Sequence, residues 1–196
     1  ARAHGHEVTV LPFSGQDRIT ARSIFLAIIL GLPLSVAKYR SREMAEAIIR
    51  TIREKKIDIV HFDHIHMGQY LEFCPGIPAV IDEHNVECLI LSRLAKNTGN
   101  LLKKCLYALE AWKMKSLERK LCSKASRVFF VSEEDRQNYG KFGARLDNAE
   151  VIPNGVDVGY FRKTEDGRRL PAGKAGKTEE DALVFTGSMD WLPNSD

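Results

Sequence analysis

The chain predicts an α/β fold: a parallel sheet covered by helices on both faces. Three observations carry that reading. Short strand-like runs with few polar residues, at 58–63 (DIVHFD), 79–82 (AVID) and 127–132 (RVFFVS), suit strands buried in a parallel sheet. Helical stretches separate them, as crossover connections require. Finally, 44% hydrophobic content over 196 residues is enough to build a core.

The elements follow in order. Residues 1–6 read as a helix tail with a Gly5 stop, followed by a strand over 7–13. A parallel domain normally starts on a strand, so the fragment is expected to be truncated at its beginning. Residues 23–30 predict a helix. Residues 39–55 predict a longer amphipathic one with Met44, Ala47, Ile48 and Ile52 on one side. The strand 58–63 leads to a short helix over 66–73, closed by Pro75-Gly76. The strand 79–82 precedes helices over 86–95 and 101–124. After the strand 127–132, Ser132 is placed to cap a helix over 133–142 with an acidic first turn. Residues 149–152 form a last strand, which enters VIPNGVDVGYF at 151–161, where Asn154-Gly155 predicts a tight turn with positive φ. The charged, Gly- and Lys-rich stretch 162–181 reads as an interdomain connector, and ALVFT with Gly187 as the first strand of a second domain at 182–196.

Charge and cysteine content exclude several classes. A net charge of +3, with 29 basic against 26 acidic residues, gives no global nucleic-acid footprint. Cys74, Cys88, Cys105 and Cys122 show no C-x-x-C spacing and predict buried, reduced thiols. The apolar run 24–37 is broken by Gly31 and Pro33 and is too short to span a bilayer, so a buried or lip-forming helix is expected. On the helix 101–124, Leu102, Leu106, Leu109, Trp112, Leu117 and Leu121 are expected in the core, with Lys103, Lys104, Lys113, Lys115, Arg119, Lys120 and Lys124 as a solvated face. The alternative for this helix is interfacial contact with anionic lipid. No G-x-G-x-x-G is present, which argues against an NAD-dependent dehydrogenase.

Ligands in parallel sheets collect beyond the carboxyl ends of the strands. That rule selects 12–15, Asp63-His64, 82–85, Ser132 and Asn154-Gly155. Asp82-Glu83-His84-Asn85 gathers two carboxylates, an imidazole and an amide, suited to a hydroxyl-rich ligand with His84 as donor or acceptor. The plainer alternative is a polar loop in which Asn85 caps the next helix. His61, Asp63, His64 and His66 invite a metal reading, but strand alternation splits them and no further ligand is placed. No metal is expected there.

The series GHEVTVL, DIVHFD, the histidine of DEHN, ASRVFFVSEEDR, VIPNGVD followed by YF, and LVFTGSMDWLPN resembles the retaining glycosyltransferases of family 4, which have the GT-B fold. It is most similar to the bacterial sugar transferases of polysaccharide assembly. The resemblance implies a Rossmann-like acceptor-side domain over 1–161 with its first strand missing, the connector 162–181, and the start of the nucleotide-sugar domain at 182–196. It implies transfer of a hexose from a UDP- or GDP-linked donor to a glycan or lipid-linked acceptor, with retention of configuration and no cofactor. The location implied is the cytoplasm, with peripheral contact at the inner face of the plasma membrane. The fragment alone is expected to be inactive. His84 matches the family histidine that reaches toward the donor sugar, and Gly187 the glycine that approaches the donor diphosphate. Asn154 matches the hinge bordering the cleft, and Glu83, Asn85, Asp63 and His64 are expected to contact substrate. The family's Arg after that glycine is replaced by Ser188, and no Lys follows up to Asp196. A nucleotide-sugar epimerase of the same fold and a non-catalytic Rossmann-like binding module are the alternatives.

Overall fold

A computed structural model describes residues 7–11 and 19–157. The chain divides into two units, Ala1–Pro153 and Asn154–Asp196. The first unit contains α1 (Ala21–Ile29), α2 (Leu34–Ala37), α3 (Arg42–Glu54), β1 (Val60–Asp63), a 3-10 turn (Met67–Phe73), β2 (Ala79–Glu83), α4 (Glu87–Asn97), α5 (Leu101–Lys124), β3 (Arg127–Phe130), α6 (Glu133–Gly140) and β4 (Ala149–Val151). The strands form one parallel sheet in the order β1-β2-β3-β4. The parallel α/β expectation holds.

Register explains how the sheet sorts its side chains. Phe62, Ile81, Val128 and Ala149 stand abreast, and all four are buried. One residue on, Asp63, Asp82, Phe129 and Glu150 stand abreast on the opposite face, because successive side chains alternate. The buried face meets Ile65, Tyr70, Val86, Met114, Leu121 and Tyr139, which form the core. Hydrophobic removal from water is the main stabilising term there. Tyr70 ties two segments: its hydroxyl donates to the Tyr39 carbonyl (2.6 Å) and accepts from the Ser41 N–H (2.8 Å).

Several expectations change. Residues 7–11 carry no strand pairing, and Val8 and Val10 are exposed. An apolar alternation becomes a strand only where a neighbour completes its hydrogen bonds. The helix expected from 39 begins at Arg42, because the Ser41 hydroxyl accepts from the Met44 N–H and caps it. Val86, not Asn85, occupies the cap position of α4, which has no side-chain cap bond. Cys105 is exposed, while Cys74, Cys88 and Cys122 are buried, and all four are free. Neither Asn154 nor Gly155 takes positive φ; among the described residues that conformation occurs at His64, Gly31, Gly76 and Gly143.

The largest departure is the orientation of α5. The expected core residues Leu102, Leu106, Leu109 and Trp112 are exposed, Leu102 at 81% and Trp112 at 69%. The buried positions are Glu110, Ala111, Met114, Glu118, Leu121 and Cys122. Two glutamates on the inward side explain why: each answers backbone N–H groups that an apolar side chain would leave unpaired. Glu110 accepts from the Leu34 N–H (2.5 Å), and Glu118 from the Cys88 N–H (3.1 Å). Of the buried or lip-forming alternatives for 24–37, full burial of α1 does not hold, since Phe25, Ile28 and Ile29 are exposed.

Candidate functional site

β1 ends at Asp63 and β2 one register position further on at Glu83, and their carboxyl ends carry the site. Asp63 and Asp82 are register partners on one face. The chain then leaves β2 through His84, whose Nε2 lies 2.8 Å from Asp63 Oδ1 and 3.9 Å from Asp82 Oδ2. His61 Nε2 stands 3.9 Å from the same Asp82 oxygen. The His84 side chain is 33% exposed. Its bond holds the Asp63 carboxyl below the usual carboxylate range, with slight burial opposing. An Nε2–H donated to that carboxylate leaves Nδ1 as the ring's second functional atom. A carboxylate that orients an imidazole at a half-open rim can position a hydroxyl and carry its proton.

His64 joins this group at a conformational cost. Its φ is 90°, a region L side chains rarely adopt, and residues held there store about 1–3 kcal/mol. The bend brings its ring 4.4 Å from that of His84 and 6.1 Å from that of His66. Burial depresses the His64 pKa, and the neighbouring His84 adds to the effect. His66, more enclosed and edge-on to Tyr39, is lowered to about 4, first by burial and then by His64 and Lys38. Both rings are therefore neutral at physiological pH.

Glu83 does not join them. Alternation along β2 places it with Ala79 and Ile81 on the buried face, where it is 1% exposed. Cys122 Sγ lies 3.8 Å from its Oε1. Burial, followed by repulsion from Glu118 and Glu87, raises its pKa well above normal. Asn85 is exposed beside His84 and free of any capping duty. Ser132, at the exit of β3, caps α6 by accepting from the Asp135 N–H at 3.1 Å. Its neighbours Glu133, Glu134 and Asp135 make that helix start unfavourable to an anion. Asn154 is exposed and belongs to the second unit. Gly187 and residues 12–15 lie outside the described residues.

Glu87 is the residue that reasoning from sequence missed. It starts α4, is partly buried with a raised pKa, and reaches toward His64 and His66. The pattern DEHNVE held the only signal, a carboxylate three residues after His84. A separate cleft of about 480 Å³, lined by Leu30, Arg40, Gly76, Ala79 and Lys120, opens at the amino end of β2, away from His84.

The fold and the rim together define a Rossmann-like α/β domain whose polar cluster lies at the carboxyl ends of its strands. Residues 1–160 match the family model described as Glycosyltransferase Family 4, and the chain belongs to that family. It therefore carries a domain of enzymes that transfer a sugar from a donor to an acceptor. No curated protein matches the chain. Among the described residues, no helix is long and apolar enough to cross a membrane.

Proposed function

We propose that this chain forms the acceptor side of an enzyme that moves a hexose from a UDP- or GDP-linked donor to a hydroxyl of a glycan or lipid-linked acceptor, with retention of configuration, in polysaccharide biosynthesis. The observation that carries the reading is the 2.8 Å Asp63–His84 pair at the carboxyl rim. His84, held by Asp63, faces the transferring sugar; hydrogen bonds that strengthen as charge develops at the reacting carbon lower the barrier. Asn85 and His64 stand beside it to meet sugar hydroxyls. Gly187 is proposed to contact the donor's diphosphate, and Asn154 to contact substrate. The test is a screen of UDP- and GDP-hexoses against hydroxyl acceptors, using an enzyme that carries both domains. Product of retained anomeric configuration supports the reading, and inverted product refutes it.

We further propose that the enzyme works in the cytoplasm against the inner face of the plasma membrane. The support is exposed apolar surface on two helices of the first unit. Leu101 and Leu102 are exposed on α5 next to Lys103 and Lys104, Trp112 is exposed further along the same helix, and Phe25, Ile28 and Ile29 are exposed on α1. The chain after α1 is fastened to α5 through the Leu34–Glu110 bond. Apolar anchors bordered by lysines suit an anionic bilayer surface. The four unpaired cysteines suit a reducing compartment.

A further inference from the structure

We propose that His64, His66 and Glu87 form a binding site for a divalent transition-metal ion of the zinc type, beside the Asp63–His84 pair and separate from it. The three residues come from two places: the loop that leaves β1 and the first turn of α4. One donor atom from each lies within 4.8 Å of the other two. Two imidazoles and one carboxylate are a donor set found in open tetrahedral zinc sites. Such an ion holds its ligands about 2.0 Å away. Side-chain rotations that move each donor by roughly 1 Å close the set around it.

What marks this cluster out is that, among the described residues, its three donor groups make no hydrogen bond or ion pair. Among the described residues, no donor or cation answers the partly buried Glu87 carboxylate. Partial burial disfavours the charged form of this carboxylate, and a bound cation offsets that cost. The His64 and His66 imidazoles make ring contacts, but neither ring makes a hydrogen bond to a described residue. The unusual backbone at His64 turns its ring into the cluster. Asp63, Asp82 and His84 form a second group of similar spacing, but there the imidazole and a carboxylate already satisfy each other at 2.8 Å. An ion bound there has to break a charge-assisted bond. Bound at His64, His66 and Glu87, the ion ties the β1 exit loop to the start of α4. The His64 ring, 4.4 Å from His84, is then fixed on one side.

The probe is Co²⁺, titrated into the 196-residue chain after exhaustive chelation, with visible absorption reporting coordination and Zn²⁺ as competitor. The expected result is one equivalent bound and displaced by Zn²⁺. His66→Gln and Glu87→Gln each weaken binding at least about tenfold, with circular dichroism unchanged. His64→Asn provides the same reading if either variant fails to fold. A His4→Gln/His6→Gln double variant keeps full affinity, since those histidines take no part. The proposal is overturned if the folded chain gives no cobalt absorption, or if both ligand variants bind like the parent. It is equally overturned if binding is lost in the His4/His6 variant, or lost on Asp82→Asn while His66→Gln retains it.

Discussion

Asp63 Oδ1 and His84 Nε2 meet at 2.8 Å, joining the last residue of β1 to the first residue beyond β2. The two are 21 positions apart in the chain, and the parallel register between the strands is what unites them. Removing the carboxylate while keeping its shape isolates the orienting role. Asp63→Asn is expected to lower the rate of transfer about tenfold or more, within the range that general acid–base assistance contributes. It should also shift the pH–rate profile. A rate and profile identical to the parent show that the bond is only structural.

The buried carboxylates make a second prediction. Glu118 is fully buried and Glu83 nearly so, and Glu118 Oε2 has no partner among the described residues. Burial raises both pKa values, that of Glu118 to about 7. The folded state therefore holds protons that the unfolded state has released above about pH 4.5, and stability drains away as pH rises toward 7 and beyond. His66, lowered to about 4, acts in the opposite sense between roughly pH 4 and 6.5, so the parent curve mixes the two effects. Comparison with Glu118→Gln separates them. The variant should gain on the parent from pH 5 to about pH 7 in urea denaturation and level off above it, reaching about 1–3 kcal/mol. A constant difference across that range contradicts the assignment.

How much of this could be read from the chain depends on the kind of information each residue carries. Period and punctuation predicted the parallel strands, and the span of α5 matches at both ends because Asn100 caps it and Ala125 leaves it extended. The Ser132 cap was equally visible. The facing of α5 was not. Its apolar residues suggested a core stripe, but Glu110 and Glu118 turn inward to satisfy backbone N–H groups of Leu34 and Cys88. Those partners are set by the tertiary fold and leave no local signal. For the DEHN cluster, strand alternation alone separates Glu83 from Asp82, a distinction that needs the strand to run through Glu83. The apolar run AVID alone ends the strand at Asp82. Glu87 was hidden for a similar reason: a helix start brings it back to histidines on another strand's loop.

The outward face of α5 predicts membrane behaviour. Trp112→Ser combined with Phe25→Ser should reduce co-sedimentation with vesicles containing anionic lipid, and parent binding should rise with the anionic fraction and fall with salt. Binding indifferent to lipid charge rules out the inner-leaflet surface as the partner.

Tyr70 offers a test of the packing beneath the site. Its hydroxyl is hydrogen-bonded on both sides, to the Tyr39 carbonyl and the Ser41 N–H at the cap of α3. Tyr70→Phe leaves those groups short of a partner in an enclosed place and should cost about 1–3 kcal/mol of unfolding free energy. Loss below about 0.5 kcal/mol, a typical lower bound for one such bond, indicates that water replaces the hydroxyl.

The role of His84 is tested most directly by the steady-state rate of sugar transfer in a two-domain enzyme carrying His84→Ala. The account predicts turnover reduced about 10²- to 10⁴-fold, with an unchanged melting curve. Turnover close to the parent's, from a folded variant, contradicts it.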